Sequence, residues 1–144
     1  MQRPPMLVTS IVIGAPEPRV LAAFYARLLG WSVVADEPAR PGMPPEDGWA
    51  MLRSPEERGV MAISIQWEPD YVAPVWPPVS GEPAMMLHLD IQTTDVDTAV
   101  AWALDCGATA TAHQPQDHTR VLLDPVGHPF CVFPGLPRAD SAAD

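Results

Sequence analysis

Hydrophobic positions along this chain change period in a fixed order, and the order occurs twice. Leu7 to Ile13 alternates as a strand, with Ile11 and Ile13 on one face and Ser10 and Val12 on the other. Ala15-Pro16-Glu17-Pro18 then opens a helix, since proline in a first turn forfeits no hydrogen bond and Glu17 suits the positive end of the dipole. Val20, Phe24 and Leu28 recur at helical spacing with Leu21 beside them, and Gly30 predicts the stop. Trp31 to Ala35, Trp49 to Arg53 and Val60 to Trp67 read as three further strands, the last two a hairpin joined through residues 54–59.

The second round starts at Met85 to Ile91. Thr94 and Asp97 stand near a capping-box arrangement, and Val96, Val100, Ala103 and Leu104 form a helical stripe that Gly107 closes. Ala108 to Ala112, Thr119 to Asp124 and Phe130 to Phe133 are three short strands. Ser10 to His88 spans 78 positions and Gly30 to Gly107 spans 77, so the two rounds superimpose within one residue. The first round is longer by about a dozen residues, and the Pro- and Gly-rich loop 37–48 is the place for them. Residues 68–83 hold five prolines with Tyr71 and Trp76, too apolar for a free linker, and read as an ordered crossover. Trp31 and Trp102, on or beside the helices, are expected in the core.

Composition narrows the function. At 144 residues the chain is one domain built of two half-size units, because units of about 60 residues are marginal alone. The expected limits are a short extension 1–6, one domain 7–134 made of unit 7–67, crossover 68–84 and unit 85–134, and a frayed tail 135–144. A formal charge of −10 argues against nucleic acid and anionic membrane, which both need a basic face, and suits a neutral or cationic small partner. There is no lysine, which removes Schiff-base chemistry and a Walker-type phosphate loop. Two cysteines, Cys106 and Cys131, are too few for a disulfide framework, and no run approaches membrane-spanning length. A cytoplasmic setting is the default expectation.

The order βαβββ twice, with Phe24-Tyr25-x-x-Leu28-Leu29-Gly30-Trp31 ending the first helix and Asp124-Pro125-x-Gly127 before the last strand, resembles the vicinal oxygen chelate superfamily. That superfamily holds glyoxalase I, extradiol dioxygenases, fosfomycin-resistance enzymes and bleomycin-binding resistance proteins. Within it the chain is similar to a small glyoxalase-like branch through Gln66, Asp70-Tyr71, Pro74, Trp76-Pro77, His88-Leu89-Asp90, His113-Gln114-Pro115 and Asp124 through Cys131. The resemblance implies an α+β fold of two tandem βαβββ units, curved mixed sheets around a cavity, and a homodimer by the superfamily's habit of pairing such units.

It also implies where ligands stand: on the first and last strands of each unit, here Ser10, Gln66 (or Ser64), His88 and Cys131. Alternation independently turns Ser64 and Gln66 away from Ile63, Ile65 and Trp67, and turns His88 and Asp90 away from Leu87, Leu89 and Ile91. Only His88 is a good ligand for a divalent ion; Gln66 is a neutral donor, Cys131 a soft thiolate and Ser10 a poor one. Asp90 or His113 would have to reach in from outside the pattern.

The expectation is therefore a metal-independent binder of a small organic molecule, with no cofactor. Ser10, Ser64, Gln66, His88, Asp90 and Cys131 would orient the guest, and Trp49 and Trp76 would form part of an aromatic wall with Trp67 and Tyr71. The alternative is a metal-dependent lyase, isomerase or dioxygenase with His88, Gln66 and Cys131 as ligands. Each residue also has a plain structural reading. His88 fits a hydrogen-bonded buried histidine equally well, Cys131 fits better as a small buried hydrophobe, and Asp124 closes the turn at Pro125-Val126-Gly127. His113, His118 and His128 lie in turn-rich, exposed segments.

Overall fold

The computed structural model describes residues 3, 5–55 and 62–136. They divide into two compact units between Tyr71 and Val72. The first holds β1 (Ile11–Ala15), α1 (Pro18–Leu29), β2 (Ser32–Glu37), β3 (Trp49–Arg53) and β4 (Ala62–Trp67). The second holds β5 (Leu89–Thr93), α2 (Val96–Cys106), β6 (Thr109–Ala110), β7 (Arg120–Leu123) and β8 (Pro129–Pro134). The sheet orders are β1-β4-β3-β2 and β5-β8-β7-β6, the same order in each. In both, the first and last strands pair in parallel and the remaining neighbours are antiparallel. The repeat expected from the offset is thus the architecture, an α+β fold of two βαβββ units.

Why the first unit packs as it does follows from alternation. Ile13, Ala15, Leu52, Ile63 and Ile65 are buried with Leu21, Ala22, Phe24 and Tyr25 of α1. Phe24 and Tyr25 meet edge to face, ring centres 5.0 Å apart. The helical stripe sits one step from its expected place: Leu21, not Val20, leads it, and Val20 is 53% exposed. Gly30 ends α1 in the left-handed conformation, as the sequence implied.

Strand starts slip later than expected. Leu7 and Val8 are exposed and precede β1, and Met86 (92% exposed) and Leu87 (57%) precede β5, so Leu87 does not join the core. An apolar run cannot by itself say which of its residues find a strand partner. Residues 60 and 61, expected to begin β4, and most of the hairpin turn lie outside the described residues.

Helix α2 is capped by Asp95, whose carboxylate accepts from Thr98 N at 2.8 Å, and not by a Thr94–Asp97 box. It buries Ala103, whereas Trp102 is 44% exposed and Leu104 faces solvent, against the expectation that both lie in the core. Spacing places the stripe, but the small residue Ala103 is what lets the helix approach the sheet.

Loop 38–48 is built around one carboxylate. Asp47 accepts from Arg40 N (2.8 Å), Arg40 Nε (3.0 Å) and Arg40 Nη2 (2.8 Å), and the residue is buried. The side-chain bonds from Arg40, then that from its backbone N–H, hold the Asp47 carboxyl at about 2, below the usual carboxylate range. Gly48 follows with φ 157°, where a Cβ would stand 2.7 Å from the Glu37 carbonyl oxygen, so only glycine joins the loop to β3. Because the folded carboxyl is the stronger acid, Asp47's contribution is complete above its ordinary pKa and disappears as pH falls through about 2. Hydrogen exchange should therefore show amides 38–48 losing protection on acidification toward pH 2. Asp47→Ala should show the same loss at neutral pH, leaving the α1 amides protected.

Candidate functional site

In the first unit one sheet face is covered by α1 and the other carries the expected functional positions. Register places Glu37, Trp49, Gln66 and Gly14 in one cross-strand row, and Ala35, Met51, Ser64 and Val12 in the next. Ser10 stands half-buried just before β1. Ser64 and Gln66 thus share a face opposite Ile63 and Ile65, as alternation predicts. Their environments differ: Gln66 is exposed, whereas Ser64 is buried and its Oγ has no hydrogen-bond partner among the described residues. A buried hydroxyl without a partner forgoes about 1–3 kcal/mol of hydration.

A pocket of about 280 Å³ opens where loop 38–48 meets the sheet, lined by Glu37, Pro38, Arg40, Asp47, Gly48, Trp49, Gln66 and Trp67. Trp49 and Trp67 both line it, although Trp67 alternates to the far face, because the pocket lies at the strand ends and not over the sheet's middle. Glu37, Arg40 and Asp47 were not singled out as site residues in the sequence. The one available signal was a pair of opposite charges seven positions apart inside a Pro/Gly loop, with glycine directly after the acid.

In the second unit three side chains converge. His88 precedes β5, Asp90 lies on it, and Asp90 is the register partner of Cys131 on β8. His88 Nε2 is 3.2 Å from Asp90 Oδ1, and one donor atom from each of the three lies within 4.8 Å of the others. His88 and Asp90 are exposed and Cys131 is half-buried. Burial raises the Cys131 thiol above its usual pKa, and the Asp90 carboxylate raises it further by charge and hydrogen bonding. Cys131 is thus a protonated thiol at neutral pH. Neither Cys106 nor Cys131 is joined in a disulfide.

Other residues of the branch pattern have structural work within the second unit. Trp76 donates its indole N–H to the His113 carbonyl at 3.3 Å, with ring centres 5.9 Å apart. Gln114 gives its amide N–H to Val121 O (2.9 Å) and accepts from Val121 N (2.8 Å), so its side chain pairs β7 beyond the end of the short β6. Asp124 accepts from Val126 N (3.0 Å) and His128 N (2.9 Å), closing the turn as expected. Its second oxygen meets His128 Nδ1 at 2.8 Å, which makes His128 half-buried rather than exposed.

The glyoxalase-like domain family matches residues 10–133. The chain belongs to that family. The vicinal oxygen chelate resemblance drawn from Phe24 through Trp31 and Asp124 through Cys131 is thereby correct. No curated protein matches the chain in sequence.

Solved structures share the fold across nearly the whole of this glyoxalase-like chain. A glyoxalase family protein from Enterococcus faecalis is 20% identical with a TM-score of 0.60, covering 88% of this chain and 96% of that one. A fosfomycin resistance protein from Listeria monocytogenes, solved with Mn(II) and 1S,2S-dihydroxypropylphosphonic acid, is 11% identical with a TM-score of 0.65, covering 90% and 92%. An antibiotic-binding protein from Streptomyces sp. CB03234 is 17% identical with a TM-score of 0.55, covering 94% and 100%. No helix among the described residues is long and apolar enough to cross a membrane.

The Asp90–Cys131 coupling gives a direct readout. Asp90→Asn removes the neighbouring negative charge, so the Cys131 thiol should ionise at lower pH and react faster with iodoacetamide. Mass spectrometry of the two cysteines across pH 7 to 9 should show the pH profile of Cys131 shifting down while that of Cys106 stays in place.

Proposed function

We propose that the protein binds a small organic molecule without a metal, gripping it by stacking and apolar burial. The observation that carries this is the pocket at the end of the first sheet, where Trp49, Trp67 and Gln66 gather against a preformed Arg40–Asp47 pair. Aromatic surface with a few fixed polar groups is the composition that binds flat organic guests. In the same unit, the positions where the superfamily carries ligands hold Ser10, Ser64 and Gln66, which are weak donors for a divalent ion. Ser64, on the same sheet face as Gln66, has a buried hydroxyl with no hydrogen-bond partner among the described residues. The fold is one that also serves the antibiotic-binding protein from Streptomyces.

In the same proposal Ser10 is a further ligand-facing group of the first unit, and His88, Asp90 and Cys131, with the Trp76 ring, are ligand-facing groups of the second unit taken by itself. The homodimer and the cytoplasmic setting belong to the same proposal. Intrinsic tryptophan fluorescence, titrated with a broad panel of aromatic antibiotics and metabolites, should show saturable changes for some members. Trp49→Leu should weaken those by about tenfold, in line with the loss of one stacking surface. Traces that stay flat across the panel would contradict the proposal.

One observation favours a second reading. His88, Asp90 and Cys131 offer nitrogen, oxygen and sulfur donors within 4.8 Å, a set whose chemistry fits zinc or a neighbouring soft divalent ion. Such an ion would polarise adjacent oxygens of a bound substrate as a Lewis acid. Cys131 must lose its proton to ligate, so loading by this set should rise with pH. Metal analysis after exposure to zinc, manganese and nickel decides between the readings. Stoichiometric metal that His88→Ala abolishes supports the enzyme, and sub-stoichiometric metal throughout supports the binder.

A further inference from the structure

The pocket beside loop 38–48 has a definite charge. Arg40 directs Nε and Nη2 at Asp47, so its positive charge is matched by a buried carboxylate and the pair is close to neutral as seen from the pocket. What remains is Glu37, exposed at the end of β2, whose carboxylate has no ion-pair partner among the described residues. Glu37 is the direct cross-strand partner of Trp49, and Trp49 is the partner of Gln66. Directly opposed residues share a face with Cβ atoms about 5 Å apart, so carboxylate, indole and amide stand side by side in that order.

An indole face attracts a cation through its quadrupole, and a neighbouring unpaired carboxylate adds to that attraction. The chain's net charge of −10 raises the local concentration of cations further. A volume of about 280 Å³ lies at the small end for ligand pockets and suits one or two fused rings. We propose that this pocket is a recognition site for a planar organic cation, with Glu37 supplying charge, Trp49 the π surface and Gln66 a hydrogen-bonding edge. The proposal rests on the small-molecule reading above and narrows it to one chemical class at one unit's rim. The Arg40–Asp47 pair holds the wall in place and leaves the ligand to Glu37.

Equilibrium dialysis of the full chain at low salt, with three probes of one size, tests it: N-methylquinolinium (cation), N-methylquinolone (neutral) and quinaldate (anion). The cation should bind about three- to fivefold tighter than the neutral probe, the range of a solvent-exposed charge contact. Added sodium chloride should erase that preference. Glu37→Gln should lower cation affinity to the neutral level and leave the neutral probe unchanged. Trp49→Leu should weaken both.

Equal binding of cation and neutral probe, tighter binding of quinaldate, or no effect of Glu37→Gln would overturn the proposal. If the neutral probe binds through Trp49 without cation preference, the cation assignment falls and the small-molecule reading stands. If all three probes fail while the broad panel yields a ligand, the assignment again falls alone. Blank results in both experiments remove both.

Discussion

Everything in each unit depends on the parallel pairing of its first and last strands, β1 with β4 and β5 with β8. Parallel neighbours cannot be joined by a tight turn, so a helix and two further strands must intervene, and the helix covers one sheet face. The opposite face is thereby left for polar positions. Ser64 and Gln66 on β4, and Asp90 and Cys131 on the β5–β8 pair, owe their placement to this constraint and not to any local preference for it.

The two units use that face differently. The first places an indole, an amide and a carboxylate in one row beside a loop stiffened by a buried acid. The second sets imidazole, carboxylate and thiol within reach of one another. The two units share a scaffold and differ in the side chains they set on it, which is why membership of the glyoxalase-like family states the fold and leaves the chemistry to the residues.

Loop 38–48 shows how a single buried charge can organise an irregular segment. Three hydrogen bonds from Arg40 satisfy the Asp47 carboxylate, so burying it is affordable only as a pair. The pair anchors the pocket wall from within the loop, whose other side chains are exposed apart from the half-buried Ala39. Gln114 does comparable work in the second unit, extending a two-residue strand with one amide.

Element order, the repeat, the helix stops at Gly30 and Gly107, the Asp124 turn and the facing of Ser64 and Gln66 were legible from the residues alone. All of these rest on local rules: side-chain alternation, helical period, and the few residues that accept left-handed geometry or close a turn. Strand starts, the exposure of Val20, Leu87 and Trp102, the Asp95 cap and the Arg40–Asp47 pocket were not. Those turn on which groups meet across distance in the chain. Periodicity carries no information about a loop's contacts, and burial is a property of what packs against a residue, so only the tertiary structure decides it.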